Sequence, residues 1–147
     1  MATIRLERTL DAPIDHVFEL LSDHAEYHRF RGITDSKLIR EGESERNGLG
    51  ARRSVATGPI RFEEEITAFE RPTRMGYLIR EVNVPLEHDG GMITLESTGG
   101  GTRVLWVSTF TMRVPLVGRP LGSVLAATFK RGFSSVLSQI ERRAGSG

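Results

Sequence analysis

The last quarter of this chain predicts one long amphipathic helix, and the rest of the chain offers no apolar stripe of comparable size. From Pro120 to about Arg143, apolar residues recur every three or four positions, which is the spacing of one helix face. These residues are Leu121, Leu125, Phe129, Phe133, Val136, Leu137 and Ile140. The structure formed by the preceding residues must therefore use this helix to cover its own apolar face.

The residues before that helix are mostly strand-like. The N-terminal TIRLERTL alternates apolar and polar positions, as a half-buried strand does. Turns rich in Gly, Pro, Asp and Asn separate six further predicted strands, near 34–41, 50–57, 60–70, 74–82, 87–97 and 102–113. The short intervals favour an antiparallel meander. Between the first strand and these six, DAPIDHVFELLSD and HAEYHRF predict two short helices.

These elements predict an α+β fold in which a seven-stranded antiparallel sheet wraps around the long C-terminal helix. We expect a single domain over 1–147, with a frayed tail from about 144. A helix with its side chains is about 10 Å wide, which is too narrow to fill a strongly curved sheet of seven strands. The geometry therefore predicts a cavity between the sheet and the helix.

Several stretches together resemble the START-like, or SRPBCC, superfamily, most closely its polyketide cyclase/dehydrase branch. They are TLDAPIDHVFELLSDHAEYHRF, GLGARR, EEEITAFERPTRMGYLI, GMITLESTGGGTRVLW and the closing helix, in that order and spacing. The resemblance covers nearly the whole chain. It implies a helix-grip fold around a hydrophobic ligand cavity.

Composition excludes several classes of function. The net charge of +1 gives no general attraction to nucleic acid, and the absence of cysteine excludes disulfides and thiol chemistry. No apolar run reaches the length of a membrane span, and the first residues of the sequence do not contain the apolar h-region of a secretory signal. We therefore expect a cytoplasmic protein without cofactor, nucleic-acid partner or stable membrane insertion, as a monomer or weak homodimer.

Strand alternation predicts which side chains line the cavity. In the last strand, the face that carries Trp106 holds the larger side chains, so we assign it inward, and the same reasoning turns Tyr77 inward. The predicted ligand-binding residues are Phe62, Tyr77, Trp106, Ser108, Phe110, Leu125, Phe129 and Phe133. Plain core packing is the alternative for Trp106 and Tyr77.

No catalytic residue can be assigned, and the candidates are Tyr77, Glu64 and Arg53. Glu64 shares the apolar parity of its strand, where a carboxylate could serve as acid or base. Arg52 and Arg53 are adjacent, so one of them faces inward and could hold a carboxylate or enolate oxygen. The alternatives are an edge position for Glu64 and a surface bridge from the arginines to the acidic run Glu63–Glu65.

Histidines offer little chemistry in this pattern. His24 and His28 are four residues apart, but no further ligand converges on them, so no metal is expected. His88 and Asp89 precede a strand near the mouth of the predicted cavity, where they could polarise a ligand or form a turn. The Gly-rich GESERNGLG could act as a mobile gate over the entrance.

Three functions fit these observations. Binding of a small hydrophobic ligand (a lipid, an aromatic polyketide or an isoprenoid-like molecule) is favoured, because the predicted inner face lacks a dense polar cluster. The second is a polyketide cyclase/aromatase or dehydratase, in which Tyr77, Glu64, Ser108 and an inward arginine move protons and stabilise an enolate. The third is a partner module similar to ubiquinone-binding or ribosome-associated relatives.

Overall fold

A computed structural model describes residues 1–146 and contains one antiparallel sheet of seven strands. The strands are β1 (Ala2–Leu10), β2 (Asp35–Arg40), β3 (Arg52–Thr57), β4 (Ile60–Glu70), β5 (Arg74–Val82), β6 (Leu86–Thr98) and β7 (Gly101–Met112). The helices are α1 (Ile14–Ser22), a 3₁₀ helix (His24–Arg29) and α2 (Gly118–Ser146). The strand order β1-β7-β6-β5-β4-β3-β2 makes a meander whose first strand closes onto the last. The α+β helix-grip prediction is confirmed.

The long helix differs from its prediction at both ends. It begins at Gly118, two residues before Pro120, and runs through the segment predicted to fray. Ala144 is buried, so packing continues past the predicted last turn. Gly147 of the predicted tail lies outside the described residues. The second short helix is a 3₁₀ helix, with His24 and Tyr27 as its buried residues.

The two halves of α2 are buried to different extents. In the C-terminal half, Val136, Leu137 and Ile140 are buried in the main core. The N-terminal half packs on a smaller cluster formed by Ile4, Phe110 and Met112. The side chains of that half that face the sheet are only half-buried, and they are Leu121, Leu125, Phe129 and Phe133.

Alternation along β7 follows the sequence pattern. Every second residue is buried: Thr102, Val104, Trp106, Ser108, Phe110 and Met112. This row is the inner face of the sheet, and its last residues, Phe110 and Met112, lie beneath the N-terminal half of α2. In the part of the chain that the structure describes, none of the helices combines the length and the apolar character that crossing a bilayer requires.

Candidate functional site

An aromatic interface joins the N-terminal half of α2 to the inner face of β7. Trp106 and Phe133 stack with ring centroids 4.1 Å apart and planes inclined by 5°. Phe110 meets Phe129 edge to face at 5.9 Å. We call this interface the helix–sheet seam, formed by Trp106, Phe110, Met112, Leu121, Leu125, Phe129 and Phe133. Phe133 therefore occupies the space over Trp106 in which a cavity was predicted.

The seam ends at a surface cleft of about 370 Å³ beside the β7–α2 loop. Met112 belongs both to the seam and to the lining of this cleft. Leu116 and Gly118, from the loop and the start of α2, line it as well. The cleft therefore borders the seam at Met112.

The floor of the seam contains one polar spot, at Ser108. Ser108 lies between Trp106 and Phe110 in the inner row of β7. Its Oγ is 2.8 Å from Nε2 of His88, whose ring stacks on Tyr77. Trp106 donates its indole N–H to the Tyr77 hydroxyl at 2.9 Å. Two hydroxyls and an imidazole thus meet within a mostly apolar surface.

Backbone geometry determines the proton positions on His88. The backbone N–H of Ile79 donates to Nδ1 of His88 at 3.0 Å, so the proton of the neutral ring lies on Nε2 and is donated to Ser108. A nucleophilic serine needs the opposite arrangement, in which a histidine nitrogen accepts its proton. Ser108 is therefore a hydrogen-bonding group here and not an activated nucleophile.

Burial keeps these groups uncharged. It raises the pKa of Tyr77 to about 12, with a further contribution from the negative charge of Glu64. Burial also lowers the pKa of His88. At neutral pH the Tyr77 hydroxyl stays protonated, and the His88 ring stays neutral. The polar spot can donate and accept hydrogen bonds without a net charge.

Gly91 makes room for the Tyr77 ring. The two residues are partners in the β5–β6 pairing, and a Cβ at position 91 would lie 2.2 Å from Cζ of Tyr77. No side chain fits in that space, so glycine allows Tyr77 to lie flat on β6. The ring of His88 then stacks on Tyr77 with centroids 5.4 Å apart. The two consecutive glycines at 90–91 are the sequence feature that could have indicated this close approach.

A second polar group lies deeper, around Arg53. Its Nε donates to Oε1 of Glu64 at 2.8 Å, and both side chains are buried. Its Nη1 donates to Nδ1 of His24 at 3.0 Å, which leaves the His24 Nε2 proton to bond the Asn47 carbonyl at 2.9 Å. The guanidinium also lies 4.6 Å from the centroid of the Tyr27 ring. Burial opposes the charge on Arg53, but Glu64, Tyr27 and Tyr77 together outweigh it, so the pKa of Arg53 is raised.

The structure separates the two adjacent arginines. Arg53 faces inward and pairs with Glu64, whereas Arg52 faces outward, 4.0 Å from Glu63. Register explains this, because Arg53 lies directly opposite Glu64 in the β3–β4 pairing. The candidates Arg53 and Glu64 thus satisfy each other, and the guanidinium lies 5.8 Å from the centroid of the Tyr77 ring.

Other predicted site residues lie apart from the seam. Phe62 is half-buried and lines a separate cleft of about 460 Å³ with residues that include Lys37 and Val82. His24 belongs to the Arg53 group, while the Nδ1 of His28 lies 3.2 Å from the hydroxyl of Ser36. No cluster of metal-ligating side chains occurs among residues 1–146.

The loop proposed as a gate is tied to the rest of the protein. Besides the Asn47–His24 bond, Arg71 bridges Glu45 of this loop and Glu19 of α1, at 2.8 Å in each case. The role of His24 in holding the loop was missed by sequence reasoning. Its partners are 23 and 29 residues away, so no local spacing could have identified them.

Comparison with known proteins places this architecture among relatives. The structure is similar to TTHA0849 from Thermus thermophilus, with 22% identity, 97% and 96% of the two chains covered, and a TM-score of 0.76. It is similar to Ara h 8.0201, with 20% identity, 99% and 98% coverage, and a TM-score of 0.77. A START superfamily protein from Mycobacterium smegmatis has 9% identity, 97% and 99% coverage, and a TM-score of 0.79.

Sequence comparison gives the family directly. No curated protein matches the chain in sequence. The family model for polyketide cyclase / dehydrase and lipid transport matches residues 1–145. The chain therefore belongs to this family, and it shares the helix-grip fold of the START superfamily protein.

Proposed function

We propose that this protein binds a small, mainly apolar molecule, carrying at least one hydroxyl or carbonyl group, in the helix–sheet seam. The observation that carries the proposal is the position of Ser108 between Trp106 and Phe110 on the floor of the seam. Small-molecule sites are usually apolar surfaces with a few placed polar groups. Here the polar groups are the hydroxyls of Ser108 and Tyr77.

Partial burial of the helix supports the same proposal. Phe133, Phe129, Leu125 and Leu121 face the sheet, yet each is only half-buried. A flat ring that displaced Phe133 would keep the stacking on Trp106 and would bury more of the helix. A ligand oxygen above Ser108 would then form a hydrogen bond with the Ser108 hydroxyl, in place of the present one between Ser108 and His88. Flat aromatic or isoprenoid-like molecules fit this surface better than highly charged ones, because the polar spot has no net charge.

Binding is favoured over turnover because the buried ionisable groups are already engaged. Both ring nitrogens of His88 are occupied, by the Ile79 N–H and by Ser108. Glu64 is paired with Arg53. A general base needs a free lone pair within reach of the proton that it removes. The His88 ring offers none without breaking an existing bond, and the Arg53 guanidinium holds Oε1 of Glu64.

A second function, polyketide cyclisation with dehydration, is supported by Tyr77. Its raised pKa keeps the hydroxyl protonated, so it can donate a hydrogen bond to the oxygen of an enolate that develops during ring closure. This activity requires a reactive polyketide as substrate. Turnover is distinguished from simple binding by a change in the mass or absorbance of the polyketide during incubation with the protein.

Trp106 fluorescence tests binding, since it is the single tryptophan of the chain. Fatty acids, quinones, flavonoids and aromatic polyketides are titrated against the parent protein, with Trp106→Phe as the blank. We expect saturable quenching or a spectral shift at micromolar concentrations of at least one class. Ser108→Ala should lower the affinity for ligands with ring carbonyls about fivefold, which is the effect of losing one hydrogen bond. No response from any class, with the protein folded, would contradict the proposal.

A further inference from the structure

The β7–α2 loop and the start of α2 expose an unusual amount of apolar surface. Leu116 is fully exposed, and Met1, Val117 and Val124 expose 81%, 52% and 62% of their surface. These four make up most of the six large hydrophobic residues that are exposed in residues 1–146. Met1 and Leu116 line the same cleft, and Val124 lies two helical turns after Val117. We call these four residues the apolar tip.

Leu116 holds a conformation that leucine normally avoids. Its φ of 69° makes it the only residue other than glycine with a positive φ in the described part of the chain. Side chains with a Cβ are disfavoured there, because the Cβ approaches the following carbonyl oxygen. A glycine would fit at no cost. The fold thus presents a leucine to solvent in a strained turn, without any compensating burial.

The charge around the apolar tip is positive. From Met112 to Ile140 the sequence has no Asp or Glu, yet it contains Arg113, Arg119, Lys130 and Arg131. Arg113 pairs with Glu87 of β6. Arg119, beside the tip, forms no ion pair with any carboxylate of residues 1–146. For a chain with a net charge of +1, this is a local concentration of cations.

We propose that the apolar tip docks on the surface of a bilayer that contains anionic lipids. Exposed aliphatic side chains flanked by arginine and lysine are the combination that such a surface binds, because the apolar groups enter the interface while the cations meet the lipid phosphates. A second copy of this chain is a poorer partner, because its cations would face the same cations. Docking by a loop tip is peripheral and involves no membrane-spanning helix.

Docking at this position would place the cleft that borders the seam against the bilayer. Leu116 belongs to the apolar tip and also lines that cleft. An apolar molecule could then enter the seam without crossing water. This consequence rests on the proposed ligand binding, whereas docking itself does not.

Vesicle flotation tests the docking. Phosphatidylcholine vesicles are compared with vesicles that also contain phosphatidylglycerol, using the full chain, Leu116→Gly and Leu116→Asp. Ile39→Asp is the matched control, since Ile39 is a half-exposed aliphatic residue (51%) on β2. We expect the parent to float only with the anionic vesicles. Both Leu116 variants should weaken the apparent affinity for these vesicles about tenfold, as the loss of one buried leucine predicts, while Ile39→Asp leaves it unchanged.

Leu116→Gly keeps the test independent of folding, because glycine accepts the observed φ. Its circular dichroism and its midpoint of urea denaturation should match those of the parent. Arg119→Glu should weaken docking, and added salt should weaken it further. The proposal is overturned if the parent does not bind anionic vesicles, or if Ile39→Asp has the same effect. It is also overturned if Leu116→Gly only converts a dimer to a monomer.

Discussion

Trp106 and Phe133 stack face to face across the helix–sheet seam, with ring centroids 4.1 Å apart. Trp106 belongs to the inner row of the sheet, where it is buried, whereas Phe133 is half-buried on α2. The contact therefore joins a buried ring on the sheet to a partly exposed ring on the helix. In our account, Phe133 is the part of the seam that a ligand displaces.

Phe133→Ala should uncover Trp106. We expect a red-shifted Trp106 emission spectrum, a loss of about 1–3 kcal/mol in the free energy of unfolding because the ring is only half-buried, and tighter binding of flat aromatic molecules. Urea denaturation and fluorescence titration measure these effects. Val124→Ala, on the exposed side of the same helix, is the control and should change none of these three properties. Weaker aromatic binding in Phe133→Ala would contradict the account.

Gly91→Ala should displace Tyr77. The added Cβ would lie 2.2 Å from Cζ of Tyr77, so the ring must move and the bond from the Trp106 indole must break. We expect a loss of about 1–3 kcal/mol from overpacking and a shift of the Trp106 indole N–H resonance. Gly99→Ala is the control, because nothing lies within 4 Å of its added Cβ. Equal spectra for Gly91→Ala and the parent would show that Tyr77 does not depend on this glycine.

Removing the carboxylate of Glu64 should destabilise the fold strongly. Glu64→Leu leaves the Arg53 charge buried without its partner, which typically costs about 3–5 kcal/mol. The double variant Arg53→Met with Glu64→Leu should recover most of that loss, since it removes both charges. Chemical denaturation of the three proteins measures the difference. A double variant no more stable than Glu64→Leu would argue against the pair as the cause.

His24 should make stability fall in acid. Burial and the charge of Arg53 lower its pKa from 6.5 to about 3 in the folded protein. Below pH 6.5, the unfolded chain therefore binds a proton that the folded protein does not bind. The free energy of unfolding should decrease by up to about 1.4 kcal/mol per pH unit on this account, with the effect complete once pH has fallen to about 3.

The variant His24→Gln isolates this contribution. Its amide can accept from Arg53 and donate to the Asn47 carbonyl, but it does not titrate. Between pH 6.5 and 4, the slope of stability against pH should be smaller in His24→Gln than in the parent. Identical slopes would place the acid sensitivity elsewhere in the protein.

Most of the fold could be predicted because its signals are local. The alternation in β7 identified the buried row from Val104 to Met112, and the three-and-four spacing identified α2. Turn residues marked the strand boundaries to within about two residues. The helix ends were less predictable, since burial of Ala144 depends on packing and not on propensity.

The site was less predictable because its contacts are distant in sequence. Register decides which of Arg52 and Arg53 faces inward, and His24 reaches Arg53 across 29 residues. The stacking of Phe133 on Trp106 depends on the position of α2 over the sheet. Phe62 and Glu64 are two residues apart in β4, so strand alternation assigns them to the same face. The position of Phe62 along the strand, however, puts it in a separate cleft and not in the seam.

The most direct test of ligand binding in the seam is an NMR titration that follows the Trp106 indole N–H, which is bonded to Tyr77. Our account predicts that an apolar ligand from the fluorescence series shifts this resonance and gives nuclear Overhauser contacts to Trp106 and Phe133. Shifts confined to the cleft lined by Phe62 and Val82, with the indole resonance unmoved, would contradict it.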